Sequence, residues 1–316
     1  MGRRDPRADI IDDDPFKQRP RVARVHARQT NDGTIHFEMN GGASGKINPL
    51  LAQFMGLQPN KPAAMHDGRI WHFSDEEKKH LRLATAAFTV ALGIAMATGF
   101  GGLLSVDFSN ELGITVVLFL ISMPVMLFAV GPAFLLHEIG HKIVAKKYGC
   151  WAEFRADPGG LKFGIILVAL TGILFMAPGA VMVAGLVTRR QNGHIAIAGP
   201  LVNFTLFGFG IIFGGLVLGI AGAEEYANNQ LGFISDGAIN LKAMIGGTVY
   251  WWIFANLGLG FFNLIPFGPL DGAKVKAWNE TVWFGTFMIF IVIIYLWASG
   301  TFSPINDAAV RIAELF

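Results

Sequence analysis

His137-Glu138-Ile139-Gly140-His141 carries the pattern HExxH. On a helix, residues four apart share a face, so both imidazoles can reach a single Zn²⁺, while Glu138 beside them can take a proton from a water activated at that metal. That is the chemistry of metal-assisted hydrolysis. In a soluble helix the same five residues are a moderately common accident on a solvated face. Here they close an apolar run from Gly113 to Leu136 that holds no charged residue. A carboxylate and two imidazoles at bilayer depth are costly unless they are used.

Two histidines do not complete a catalytic zinc site, which usually has three protein ligands and one position left for water. A metzincin would place a third histidine six residues after His141, and that position is Lys147. Glu153 lies beyond the basic end of the helix and reads as a partner for a nearby base or as a cap. The other carboxylate embedded in the apolar part of the chain is Asp271, within Phe262-Asn263-Leu264-Ile265-Pro266-Phe267-Gly268-Pro269-Leu270-Asp271-Gly272. His137, His141 and Asp271 are therefore the candidate ligands of one Zn²⁺ per chain, with Glu138 as the base.

The elements that must position them are membrane helices. Of 316 residues, 53% are hydrophobic and 15% charged, with a mean hydropathy of +0.47, the composition of a polytopic membrane protein whose surroundings are a lipid bilayer. The formal net charge of +2, with basic residues beside apolar segments rather than in a stripe, excludes nucleic acid as a partner. The single Cys150 excludes an internal disulfide and a Cys-rich zinc module and reads as a packed or lipid-facing small residue. A charged N-terminus without an apolar core predicts no cleavable signal, so the first span acts as its own.

Residues 1–20 have the composition of a disordered tail. Within residues 21–73, short alternating stretches such as Val22–Ala27 and Thr34–Met39, separated by Asn31-Asp32-Gly33 and Gly41-Gly42, predict a small, partly β, soluble N-terminal module. Its His26, His36, His66 and His72 lack metal-ligand spacing. Ser74-Asp75-Glu76-Glu77 has the form of a capping box and starts a helix that enters the membrane. Residues 74–300 form the membrane-embedded domain and 301–316 a C-terminal tail. Apolar segments able to span a bilayer run at about 83–104, 113–136, 196–222, 243–266 and 281–299. The second continues through the zinc motif to Lys147, roughly 52 Å if straight, and is expected to tilt or bend at Pro124 or Pro132.

A sixth apolar stretch, 163–187, decides the topology. With a cytoplasmic N-terminus the second span delivers Lys142, Lys146 and Lys147 to the cytoplasm. If 163–187 is re-entrant, every one of the 25 Lys and Arg except Lys242 and Arg311 is cytoplasmic. If it crosses, Arg189, Arg190, Lys274 and Lys276 lie outside, and Asp271 is separated by the bilayer from the histidines. Gly172, Pro178 and Gly179 interrupt the stretch, and Val181-Met182-Val183 is strand-like. The expected fold is thus an α-helical polytopic membrane protein of about five transmembrane helices plus a re-entrant segment with short β elements, lining a hydrated cavity.

The motifs HEIGH and NLIPFGPLDG, on two separate spans, resemble the site-2 protease family of intramembrane zinc metalloproteases. The resemblance covers about residues 75–280. Ala152-Glu153-Phe154-Arg155, Ala177-Pro178-Gly179-Ala180-Val181, Ala198-Gly199-Pro200-Leu201-Val202-Asn203 and Asp271-Gly272-Ala273-Lys274-Val275 are similar to archaeal members in particular. It implies zinc held by His137, His141 and Asp271, Glu138 as general base and Asn263 near the scissile bond. It also implies a substrate that is a transmembrane protein or peptide. Asn263 could donate to the substrate carbonyl or developing oxyanion, or satisfy backbone groups freed where the helix breaks at Pro266. Asn203 reads as a residue bridging packed helices, and Pro266, Pro269 and Gly272 as the helix end that lets Asp271 turn toward the metal.

A transmembrane helix hides its carbonyls in its own hydrogen bonds, so a substrate must unwind before zinc can reach it. An edge strand, expected near Val181–Val187 or Gly193–Ala198, could hold the extended segment. His194 lies there and reads as a loop histidine or a substrate contact. A prenyl-protein-type protease would need a downstream Glu-rich motif, which is not found. The alternative from another class is a non-proteolytic zinc-binding membrane protein or metal transporter retaining the fold. Glu138 argues against it, because transport needs no general base beside the ligands.

Overall fold

A computed structural model describes three strands within residues 25–47 and then residues 71–316, apart from 108, 177, 185, 186 and 228–231. The strands β1 (Val25–Gln29), β2 (Ile35–Met39) and β3 (Ser44–Ile47) form an antiparallel meander in sequence order, where alternation predicted β structure. The expected tail 1–20 and the remainder of the module up to residue 70 lie outside the described residues.

Five helices are long and apolar enough to cross a membrane among the described residues. They are α1 (Asp75–Thr98), α2 (Leu112–Lys147), α4 (Arg189–Ala221), α5 (Leu241–Asn263) and α7 (Glu280–Ala298). Each start except that of α2 is fixed by a side-chain cap. Ser74 Oγ accepts the N–H of Glu77, Thr188 and Gln191 make a reciprocal capping box, and Asn240 and Asn279 cap α5 and α7. Pro124 and Pro132, the expected bend positions, both lie inside the unbroken 36-residue α2. Phe207, Ile253, Leu257, Phe290 and Ile305 form the core between α4, α5, α7 and the C-terminal segment. That segment, expected as a tail, folds against α4, where Gly215 and Gly219 admit Ala309 and Ala313.

The stretch around 163–187 is re-entrant. Strand β4 (Trp151–Ala156) leads into α3 (Pro158–Thr171), and the chain returns to β5 (Gly179–Ala184), which pairs antiparallel with β4, Phe154 opposite Val181. Paired strands at both ends of the excursion require it to leave and regain the same face. Helix α3 runs beside α1 until the Thr171 carbonyl accepts the N–H of Gly101, 2.8 Å away. Gly172 then reverses the chain at φ 72, where a Cβ would collide with the Gly99 carbonyl.

The other expected strand, Gly193–Ala198, is helical, because the Thr188 capping box starts α4 before it. A short helix α6 (Asp271–Trp278) docks on the start of α4, with Arg189 Nε donating to the Ala277 carbonyl. The start of α1, the end of α2, the β4–β5 sheet, the start of α4 and α6 therefore gather at one end of the helix bundle.

Candidate metal centre

His137 and His141 stand one turn apart on α2, 4% and 6% exposed, with their Nε2 atoms 3.0 Å from each other. Asp271, the first residue of α6, brings Oδ2 to 3.3 Å from His137 Nε2 and 2.9 Å from His141 Nε2. Helix α5 ends at Asn263, and the turn through Pro266, Gly268 and Pro269 redirects the chain before Asp271. Gly272 then packs under the Leu264 and Ile265 carbonyls without room for a Cβ. The turn that was expected to end a helix thus also begins a new one, with the carboxylate on its first position.

The tautomers of both histidines follow from their outer hydrogen bonds. The Asn203 amide nitrogen donates to the Ala133 carbonyl (2.9 Å) and to Asn256 Oδ1 (3.1 Å), so Asn203 Oδ1 is an acceptor, and it takes the Nδ1–H of His137 at 2.6 Å. His141 Nδ1–H donates to the Ile195 carbonyl at 2.7 Å. Each imidazole therefore turns an Nε2 lone pair toward the other and toward a carboxylate oxygen. Three acceptors at such separations repel unless a cation lies among them. A proton serves one pair of them at a time, whereas a tetrahedral ion bound at about 2.0–2.1 Å wants donors about 3.3 Å apart, close to the spacings observed. The residues present fit zinc.

Helix α4 leaves space for such an ion by omitting a side chain. A Cβ on Gly199 would sit 2.5 Å from Nε2 of both histidines. Glu138 flanks the pair, 9% exposed, and its carboxylate accepts the N–H of Val181 on β5 at 3.0 Å. Lys274 Nζ holds the second oxygen of Asp271 at 3.0 Å.

Asn263 is half-buried and its Nδ2 donates to the Leu259 carbonyl one turn back, at 3.0 Å, which satisfies its own helix. Glu153 pairs with Arg155 at 2.8 Å, the partner role expected of it. Cys150 is buried in a small apolar cluster. His194 is no loop residue. It lies inside α4, takes a 2.5 Å hydrogen bond with the Tyr148 hydroxyl and meets the Trp278 ring edge-on, joining α2, α4 and α6.

Sequence reasoning gave Asn203 to helix packing and missed that it orients His137. Its spacing from Gly199 was the available signal. Asn256 and the Ile195 carbonyl carried none, since nothing local ties either to the zinc motif.

Three buried acceptors that fit a metal ion with a carboxylate beside them, set among five helices able to span a bilayer, form the arrangement expected of a membrane-embedded zinc hydrolase. The chain belongs to Peptidase family M50, whose profile matches residues 125–283. Among its relatives, "Putative zinc metalloprotease MJ0611" of Methanocaldococcus jannaschii is 38% identical over 175 residues, 54% of this chain and 75% of that protein. "Putative zinc metalloprotease YwhC" of Bacillus subtilis is 30% identical over 161 residues, 48% of this chain and 68% of that protein. "Zinc metalloprotease MJ0392" of M. jannaschii is 31% identical over 140 residues, 44% of this chain and 30% of that protein. No solved structure matches the chain significantly. The chain is an intramembrane zinc metalloprotease and a multi-pass membrane protein, and the metal-transporter reading gives way to it.

Proposed function

We propose that one zinc ion per chain is held by His137 Nε2, His141 Nε2 and the Asp271 carboxylate, and that Glu138 is the general base of a peptidase acting on transmembrane segments of membrane-anchored proteins. The observation that carries this reading is the convergence of three otherwise incompatible acceptors beside Glu138. Held by these three residues, a zinc ion would supply the acidity that activates a water and the polarisation of the scissile carbonyl. Glu138 accepts the proton of the attacking water and returns it to the amide nitrogen as the C–N bond breaks, leaving a new carboxylate and a new amine.

The outer edge of β5 receives the unwound substrate as an added strand. In the β4–β5 ladder Phe154 and Val181 are opposite, and their N–H groups point away from each other, to Glu77 and to Glu138. A substrate carbonyl takes over the Val181 N–H, which releases the Glu138 carboxylate for proton transfer. Asn263 donates its side-chain amide to the developing oxyanion, exchanging the Leu259 carbonyl for it.

The active site faces the cytoplasm, as does the N-terminus. This orientation places every Lys and Arg except Lys242 and Arg311 on the cytoplasmic side, as positive-inside topology favours.

The test is cleavage of single-pass reporter segments by purified protein in detergent, comparing wild type with Glu138→Gln, with zinc chelated and then restored. Cuts inside the apolar segment that vanish in the variant and return with zinc support the reading. Equal product from wild type and Glu138→Gln refutes it.

A further inference from the structure

Glu77 is fully buried on the first turn of α1, and the mechanism above does not use it. Its carboxylate is shared between two elements. One oxygen accepts the backbone N–H of Phe154 on β4 at 3.0 Å. The other holds Lys142 Nζ, and Lys142 follows His141 on α2. That ammonium also lies 3.5 Å from the centroid of the Phe73 ring. One turn along α1, His80 Nδ1 accepts the N–H of Ala156 at 3.0 Å. Side chains of α1 thereby close the outer edge of β4, while the outer edge of β5 faces Glu138.

These contacts form a circuit. Glu138 on α2 holds Val181 of β5, which lies opposite Phe154 of β4, which is held by Glu77, which is held by Lys142 back on α2. Strand addition breaks one link, because the Val181 N–H changes partner. The sheet then needs another attachment to the metal-bearing helix, and the Glu77–Lys142 pair is it. Stability alone gives little reason for a buried ion pair there, since apolar replacements of such pairs are often neutral or better.

We propose that Glu77 is a positioning residue: by clamping β4 to α2 through the Phe154 N–H and Lys142, it sets where the β5 edge lies and so which substrate bond meets Glu138. The proposal rests on proteolysis with strand addition at β5, as argued above.

Two double variants isolate the clamp. Glu77→Gln with Lys142→Gln removes both charges but keeps an acceptor for Phe154 and a hydrogen bond across to α2. Glu77→Leu with Lys142→Met fills the same space and keeps neither. Both are compared with wild type for zinc content, for hydrogen–deuterium exchange in peptides spanning β4 and β5, and for products of a reporter segment mapped by mass.

The glutamine pair is expected to keep the wild-type cut and slow β4–β5 exchange. The apolar pair is expected to bind zinc normally and exchange faster in β4–β5 but not in α2. Its cuts should spread over neighbouring bonds, with a roughly 10- to 100-fold lower kcat/KM carried mainly by kcat, the scale expected of an ångström-sized misplacement. Identical exchange and identical cuts in the two variants overturn the proposal.

If the apolar pair fails to fold, Glu77→Gln with Lys142→Met keeps the acceptor for Phe154 and removes the link to α2, and an unchanged cut pattern with unchanged β4–β5 exchange there overturns the proposal equally. If wild type with zinc cleaves no segment, the proteolytic reading is what fails, and the exchange comparison still judges the clamp.

Discussion

Replacing Gly199 by Ala separates the demands of the fold from those of the metal. In a helix interior alanine is favoured over glycine by about 1 kcal/mol, so the substitution favours α4 taken alone. The new methyl, however, would lie 2.5 Å from Nε2 of His137 and of His141. An ordinary contact requires the rings to retreat by about 0.7 Å or more, whereas metal-ligand distances tolerate only about 0.2 Å.

The rings have little freedom to retreat, since their Nδ1 atoms are held by Asn203 Oδ1 at 2.6 Å and the Ile195 carbonyl at 2.7 Å. A loss of at least about 100-fold in zinc affinity is expected, which removes about 2.7 kcal/mol of zinc-linked stabilisation at a fixed excess of zinc. Competition with a chromophoric chelator measures the affinity, and thermal melts with and without zinc measure the linkage. Gly199→Ala protein that matches wild type in chelator competition and in its zinc-dependent rise in Tm refutes the assignment of this space to the metal.

Other substitutions probe the layers around the same centre. Glu138→Gln is expected to bind zinc at wild-type stoichiometry yet lose cleavage beyond detection, as measured by metal analysis beside the reporter assay. Asn203→Ala deprives His137 of its acceptor and should weaken zinc binding by roughly 10- to 100-fold. Asn256→Ala, one bond further out, should cost less, and a double-mutant cycle on zinc affinity reads the coupling between them. Gly193→Val meets the Trp278 ring, which a Cβ at this position would already overlap. It should loosen α6, with lower zinc affinity and faster amide exchange in residues 271–278 as the measured signs. Chelating zinc from the wild type should lower Tm, and adding it back should restore the value.

The candidate ligands were legible in the sequence because their constraints are local or topological. His137 and His141 share a face by helical spacing alone, and Asp271 is singled out as a carboxylate stranded in an apolar stretch. Charge asymmetry, taken with a cytoplasmic N-terminus, then favoured a re-entrant 163–187, and the β4–β5 pairing bears out the re-entrant segment. The span positions followed from hydropathy, since a bilayer leaves the backbone few alternatives to a long helix.

What the sequence could not reveal is every contact made between elements remote along the chain. Ser74 does cap α1 by accepting the N–H of Glu77. The capping-box pattern nevertheless hid the fate of the Glu77 side chain, which turns away from Ser74 to Lys142 and Phe154. Gly193–Ala198 looks strand-like because apolar residues near a turn look alike in short windows, and the cap at Thr188 makes it helix. The pairing of His137 with Asn203 joins residues 66 apart, and that of Glu138 with Val181 residues 43 apart. Residue types and local periodicity therefore determined which groups could do chemistry and which segments enter the membrane. Only tertiary packing decided which nitrogen each imidazole turns inward, which strand edge meets Glu138, and which glycine leaves room beside the two histidines, because those are properties of neighbours that no window of sequence contains.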